Sequence, residues 1–101
     1  MEMIDFVPKK KLKLNIISEN CRQLLRYLDN KPVDKIQTEV KFNRLFEPKQ
    51  LIRKFLFRTI FGKLNVKQVK LIGIKNRRIV GEICQNIANC DSLKSVIFDK
   101  V

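Results

Sequence analysis

The sequence predicts an α/β fold in which strands and helices alternate as βαβαβαβ and stack sideways into a short solenoid. Three observations support it: an apolar phrase that recurs along the chain, a helix pattern after each occurrence but the last, and strands that alternate apolar with polar residues. Strands joined through helices in this way run parallel, with right-handed crossovers. Because helices on both faces would require strands that are apolar throughout, the alternation predicts helices on one face only.

The recurring phrase is clearest in the C-terminal half of the chain. Val66, Val69, Leu71 and Ile74 stand at offsets 0, 3, 5 and 8, and Leu93, Val96, Phe98 and Val101 repeat those offsets 27 residues later. Weaker copies start at Lys9 and Val33. Such offsets form the strand half of a leucine-rich repeat, whose units of about 20 to 29 residues stack into a solenoid. The prediction is a flexible basic lead-in over residues 1–9 and one domain of about three and a half repeats over residues 10–101.

The first half of the chain predicts two strands with a helix between them. Residues 10–17 alternate as a strand, and Ser18 then predicts the N-cap of a helix whose apolar residues follow Cys21 at i+3, i+4 and i+7. Pro32 prevents this helix from continuing beyond Asn30. A second strand follows over residues 35–42, where Thr38 and its apolar neighbours alternate with polar side chains.

The second helix carries an unusual distribution of aromatic residues. Pro48 predicts its first position, and the apolar spacing predicts a buried stripe of Leu51, Ile52, Phe55, Leu56 and Thr59. Phe57 and Phe61 then project to the opposite side of the helix. Two alternatives follow. Either a neighbouring segment covers these two rings, or they form an exposed basic-aromatic patch with Arg53, Lys54 and Arg58.

The last third of the chain predicts a strand, a helix and a final strand. The third strand covers residues 66–74, and Asn76 caps a helix with the apolar face Ile79, Val80, Ile83, Cys84, Ile87 and Ala88. The last strand covers residues 93–98. Solenoids need terminal caps, and an open strand edge pairs readily with another chain. We therefore expect a fragment or a short isoform, or an edge covered by a partner or a second copy.

The balance of charge favours an anionic partner. The 101 residues contain 22 lysines and arginines against 10 acidic residues, a formal net charge of +12, and 45% are hydrophobic, which is ordinary for a folded domain. Nucleic acid, an anionic membrane surface and an acidic protein are the partner classes that this balance favours. A solvated basic surface without a specific partner has the same composition. The run Pro8–Lys13 resembles a short nuclear-import signal, or is simply a solvated terminus.

Catalysis has little basis in this sequence. It contains no histidine, its acidic residues have no paired spacing, and its three glycines form no phosphate-binding loop. Cys21, Cys84 and Cys90 are an odd set without a CxxC pair, which favours reduced thiols in the cytoplasm or nucleus and argues against zinc. No apolar run has the length of a membrane span. We expect a non-catalytic intracellular protein without cofactor, metal or membrane.

The alternation in the strands also predicts a binding surface. Side chains between the apolar positions point away from the helices and line the open face of the sheet. The partner-binding residues predicted there are Lys11, Lys13, Lys35, Gln37, Lys70, Ile72 and Ile97. Lysines predominate in the first strands and isoleucines lie in the last two. An acidic protein that also offers an apolar contact therefore fits this face, unless the isoleucines only pair with each other across the strands.

Several short segments resemble a known family. Residues 20–36 contain a helix that ends in Tyr27-Leu28-Asp29, followed by the strand entry Lys31-Pro-Val-Asp-Lys-Ile36. This order is similar to that of F-box-associated FTH regions of nematode proteins. Residues 66–74 and Asn89–Val96 resemble the next phrase of those regions and also the corner of F-box leucine-rich-repeat proteins. The resemblance implies a substrate-recruiting part of a ubiquitin-ligase adaptor without chemistry of its own.

A second resemblance concerns the F-box itself. Residues 16–29 resemble its opening helix and residues 42–45 its end, but Ile17 stands where the F-box has proline. The alternation of residues 36–42 predicts a strand where an F-box is helical, so the repeat interpretation is preferred. Both resemblances favour a protein-protein interaction module with ubiquitin-ligase components among its partners. The alternative is a small basic protein that binds RNA or belongs to a ribonucleoprotein.

Overall fold

The structure is a computed structural model that describes residues 11–30 and 35–101. Its elements are β1 (Leu12–Ile16), a 3-10 turn (Ser18–Asn20), α1 (Cys21–Asn30), β2 (Gln37–Phe42), α2 (Gln50–Lys63), β3 (Asn65–Ile72), α3 (Arg77–Ala88) and β4 (Ser95–Asp99). The lead-in predicted for residues 1–9, the helix stop at Pro32 and the phrase start at Val33 lie outside the described residues.

The four strands form one parallel sheet in the order β1-β2-β3-β4. The predicted α/β fold, with parallel strands that alternate with three helices, is confirmed. Every second residue of β1 is buried, and β2 buries Thr38, Val40 and Phe42 on the same side of the sheet. These residues join side chains of the three helices in one core, while the intervening strand residues are polar and largely exposed.

The strand register corrects the spacing of the repeats. Leu14, Val40, Val69 and Val96 are aligned across the sheet, so successive strands lie 26, 29 and 27 residues apart. The 27-residue interval is confirmed, but the phrases starting at Lys9 and Val33 are displaced from the true register. Because side chains alternate every two residues, a phrase shifted by an even number of residues still meets apolar positions. The longest interval contains a β-bulge, in which Lys67 is the extra residue.

Helix α2 is rotated relative to the prediction. Leu56, Phe57 and Ile60 face the core and are at most 4% exposed, whereas Leu51 and Phe55 are 64% and 50% exposed. The predicted buried stripe is therefore wrong for Leu51 and Phe55. This helix is apolar on most of its circumference, so its periodicity fits two different buried faces.

A cluster of aromatic rings selects the buried face of α2. The Phe57 ring lies 5.8 Å from that of Phe42 at the end of β2 and 5.9 Å from that of Phe46 in the following loop. Phe61 extends the cluster at 6.5 Å from Phe57. The structure thus adopts the alternative in which other residues cover Phe57, and the covering rings come from the end of β2 and from the loop that follows it.

Of the three helix starts predicted from the sequence, the structure confirms one. Asn76 caps α3 as predicted, because its Oδ1 atom accepts hydrogen bonds from the backbone N–H groups of Arg78 and Ile79. Ser18 caps no helix; its hydroxyl donates to the Leu45 carbonyl and accepts from the Glu47 N–H, which fixes the β2–α2 loop. Helix α2 begins at Gln50, two residues after Pro48.

Candidate interaction surface on the open face of the sheet

The open face of the sheet consists of the side chains that alternate with the buried strand residues. These positions are Lys13 and Asn15 in β1, Gln37, Glu39 and Lys41 in β2, Gln68, Lys70 and Ile72 in β3, and Ser95, Ile97 and Asp99 in β4. Each is exposed or half-buried. Lysine is the commonest residue among them, at three of these positions.

Two of these lysines are direct neighbours. The register places Asn15, Lys41, Lys70 and Ile97 in one row across the four strands. Neighbouring strands lie about 4.8 Å apart, so the positive charges of Lys41 and Lys70 repel each other. Glu39 lies two residues before Lys41 on the same face, but it forms no ion pair within the described part of the chain. Among the residues that the structure describes, no carboxylate forms an ion pair with either lysine.

Lysines from three strands surround a shallow depression of about 280 Å³. Lys13, Lys41 and Lys70 line it together with Glu39 and the side-chain amides of Asn15 and Gln68. Ammonium groups attract anions and amides donate hydrogen bonds, so the depression is suited to a carboxylate or phosphate group. Lys41 is an addition to the residues predicted for this face. Its alternation with Glu39 is the sequence signal that identifies it.

A second basic area lies toward the N-terminal ends of the strands. Lys11, Lys67 and Lys94 line a depression of about 240 Å³ there, with Gln37 and Glu39 also at its wall. Lys67 enters this area through the β-bulge, and its carbonyl accepts a hydrogen bond from the Lys94 N–H. Sequence reasoning missed Lys67, because a bulge changes the side to which the next residues point. It also missed Lys94, which precedes β4.

The C-terminal strands give the same face an apolar end. Ile97 is 38% exposed and stands beside Lys70 in its row. Ile72 lies two residues after Lys70 on the same face of β3, opposite Asp99. A partner that places carboxylates over the lysines would therefore meet apolar side chains immediately beside them.

Lys35 does not belong to this surface. It precedes β2 in a turn with a φ of 66°, and its backbone N–H donates to the Lys63 carbonyl. A left-handed backbone of this kind interrupts the extended conformation, so Lys35 is not paired in the sheet. The lysine that β2 contributes to the open face is Lys41.

The basic-aromatic patch predicted on the second helix does not form as a surface. Phe57 is buried, Phe61 is half-buried, and only Lys54 and Arg58 of the predicted set are exposed. Arg53 is 7% exposed and donates to both carboxylate oxygens of Glu82 at 2.7 and 2.9 Å, and to the Pro48 carbonyl at 2.9 Å.

In the part of the chain that the structure describes, the groups whose pKa is shifted by their surroundings are Cys21, Arg53 and Glu82, and none of them lies on the open face. Hydrogen bonds from Arg53 lower the pKa of Glu82, and the same bonds raise the pKa of Arg53. Burial raises the pKa of the Cys21 thiol to about 11. Among the described residues, no three His, Cys, Asp or Glu side chains are placed to hold a metal ion. Within the same residues, no helix has the length and apolar character to cross a membrane.

Comparison of the chain with protein-family models, with curated proteins and with solved structures found no match. The candidate surface is therefore defined by the geometry of this chain. It consists of a lysine pair, a surrounding group of lysines and amides, and an apolar end.

Proposed function

We propose that this protein is a non-catalytic protein-interaction module whose open sheet face binds an acidic protein. The observation that carries the proposal is the direct pairing of Lys41 with Lys70 on an exposed strand face. Like charges opposite each other destabilise a sheet by an amount on the order of 0.5 kcal/mol. A carboxylate that a partner places between the two ammonium groups would remove this repulsion and add charge-assisted hydrogen bonds.

The strand spacing supports a leucine-rich-repeat-like architecture. Intervals of 26, 29 and 27 residues between aligned strands fall within the range of about 20 to 29 residues that such repeats use. The sequential strand order and the single wet face agree with a solenoid that presents its sheet to a partner. The resemblance to F-box-associated FTH regions extends the proposal to a substrate-recruiting role in a ubiquitin-ligase adaptor in the cytoplasm or nucleus.

The composition of the open face favours protein over nucleic acid. None of its positions in the four described strands carries an aromatic ring, which proteins use to stack exposed bases. Ile97, which is 38% exposed, offers an apolar contact that a folded protein can fill. Nucleic-acid binding remains the second candidate, because Lys11, Lys67 and Lys94 extend the positive charge along the sheet.

A charge-swap experiment tests the proposal. The variant Lys41→Glu/Lys70→Glu reverses the central lysine pair, and Arg22→Glu/Arg26→Glu makes the same charge change on the exposed side of α1. The natural chain and the two variants serve as baits in extracts with and without nuclease, and bound proteins are quantified by mass spectrometry. We expect a defined set of proteins that survives nuclease, is lost from the open-face variant and is retained by the α1 variant.

Two outcomes would contradict this proposal. If both variants retain the same proteins as the natural chain, the open face is not the binding surface. If nuclease removes the bound material, the RNA-binding alternative takes precedence, and its affinity for single-stranded RNA should fall steeply with salt. A ubiquitin-ligase subunit among the nuclease-resistant proteins would support the adaptor role.

A further inference from the structure

The outer side of helix α2 carries an apolar ridge that has no role in the core. Leu51 and Phe55 are spaced by one helical turn and are 64% and 50% exposed. The buried apolar residues of this helix, Leu56, Phe57 and Ile60, lie on its other side and pack in the core. Leu51 and Phe55 lie on the helix side of the sheet, opposite the open face. They form a surface that is separate from the one assigned to the proposed function.

Positive charges accompany this ridge. Lys54 and Arg58 follow Leu51 by three and seven residues, so the four side chains occupy one face of the helix. Helix α2 contains four basic residues and no acidic residue. In the described part of the chain, the ion pair at this place joins Arg53 to Glu82, and neither Lys54 nor Arg58 has a carboxylate within ion-pair distance.

A groove runs along the basic side of the ridge. It lies between α2 and α3, has a volume of about 340 Å³ and is lined by Lys54 and Arg58 on one wall and by Gln85 and Asn86 on the other. Phe57 and Glu82 also line it, but the Glu82 carboxylate is occupied by Arg53. Among the described residues, the lining of the groove therefore offers positive charge and amide groups to a ligand without a free carboxylate.

From this charge complementarity we infer that the ridge and groove dock an acidic amphipathic helix of a partner protein. The apolar stripe of that helix packs on Leu51 and Phe55, and carboxylates beside the stripe bind Lys54 and Arg58. This is the helix-on-groove mode of recognition, in which apolar residues at i, i+3 and i+4 provide the anchors. Because the open sheet face lies on the other side of the molecule, both surfaces can be occupied together. The chain then links two partners.

The test uses a synthetic helical peptide of about 18 residues, or five turns. Leucines form one stripe, glutamates flank it, and glutamines cover the far side; a control peptide has lysines in place of the glutamates. Binding to the full chain is measured by fluorescence anisotropy. We expect saturable binding of the acidic peptide that weakens about tenfold or more in Leu51→Ser/Phe55→Ser and in Lys54→Glu/Arg58→Glu.

Matched variants separate this site from general charge attraction. Leu45→Ser removes another exposed leucine, 60% exposed and outside the ridge, and Arg22→Glu/Arg26→Glu makes the same charge change on the exposed side of α1. Both should bind the acidic peptide as the natural chain does, and Lys54→Glu/Arg58→Glu should gain affinity for the lysine peptide. Equal losses in the α1 and α2 charge variants would overturn the inference, as would no saturable binding. Binding to phosphatidylserine-phosphatidylcholine vesicles that requires Phe55, without peptide binding, would assign the ridge to a lipid surface and overturn it too.

Discussion

Arg53 and Glu82 are charged residues placed against the core, and each depends on the other. Arg53 is almost fully buried, and its guanidinium joins α2 to α3 through two hydrogen bonds to Glu82 and to the preceding loop through Pro48. Removing one member of a buried ion pair leaves the other charge without compensation. The pair therefore acts as a fixed link between two helices that periodicity alone would treat as independent.

Replacing Arg53 with methionine should lower the free energy of unfolding by about 2 kcal/mol. The general cost of breaking a buried pair is about 3–5 kcal/mol, and we expect less because the Glu82 side chain is 28% exposed and regains water. Urea denaturation measures the change. The control Lys54→Met removes an adjacent exposed charge and should alter stability by about 0.5 kcal/mol or less. Equal effects of the two substitutions would show that the ion pair has no structural role.

The stability contributed by Glu82 should depend on pH. Its pKa is lower in the folded protein than in the unfolded chain because of hydrogen bonds from Arg53. Its contribution is therefore complete above the unfolded pKa of about 4.3 and is lost as the pH falls below that value. We expect the natural chain to be more stable than Glu82→Gln at neutral pH, with a difference that shrinks in urea titrations below about pH 4. A difference that stays constant across this range would contradict the assignment.

Helix α2 has two apolar stripes, and contacts with other elements determine which of the two is buried. Its buried side is the one that meets Phe42 and Phe46, whose ring centroids lie 5.0 Å apart. Phe57 completes this cluster, whereas Phe55 projects outward. The choice depends on residues from β2 and its following loop rather than on the spacing within the helix.

Alanine substitutions at Phe55 and Phe57 should therefore lower the stability of the protein by very different amounts. Phe57→Ala opens a cavity among three rings and should cost about 3–5 kcal/mol in thermal or urea unfolding. Phe55→Ala should change stability by less than about 1 kcal/mol, because the ring is half exposed and alanine favours helix. The two residues are chemically identical, so each is the control for the other. A larger loss of stability in Phe55→Ala than in Phe57→Ala would mean that the helix buries Phe55 rather than Phe57.

The cap of α3 gives a second prediction for an element. Asn76→Ala should destabilise the protein by about 1 kcal/mol, because the N–H groups of Arg78 and Ile79 lose their acceptor. Asn76→Asp should retain the stability, since its carboxylate accepts the same hydrogen bonds and interacts favourably with the helix dipole. Chemical denaturation of the three proteins compares them. Similar losses for alanine and aspartate would exclude a capping role.

The molecule as a whole has unequal ends. Both β1 and β4 are edge strands of the described sheet, but the apolar residues of β1 are buried, whereas every residue of β4 except Val96 is exposed. Phe98 aligns with two fully buried residues, Phe42 and Leu71, yet it is 53% exposed. The open strand and its apolar side chain are the features that promote edge-to-edge pairing.

Self-association through β4 should accordingly depend on concentration. We expect the sedimentation coefficient to rise with protein concentration, and we expect Ile97→Lys to reduce this rise, because charged side chains on an edge strand oppose pairing. Ile72→Lys places the same charge on the same face in an inner strand and should have little effect. A natural chain that remains monomeric throughout the concentration series would refute association at this edge.

Local patterns were sufficient for part of the open face. Lys13, Lys70, Ile72 and Ile97 lie there as the alternation predicts, because the direction of a strand side chain follows from its position along the strand. Lys35 does not, because a left-handed turn precedes β2, and Lys67 joins the face through a bulge. Neither irregularity has a signal in a two-residue period.

The spacing of apolar residues was enough to predict the order of strands and helices, the parallel sheet and the polar side of each strand. These properties follow from periodicities of two and 3.6 residues, which act between near neighbours in the chain. Three features become visible only in the folded chain: the register that makes Lys41 the partner of Lys70, the rotation that buries Phe57 and exposes Phe55, and the pairing of Arg53 with Glu82. Each of these depends on contacts between residues far apart in sequence, whose packing selects one of several arrangements that local spacing allows.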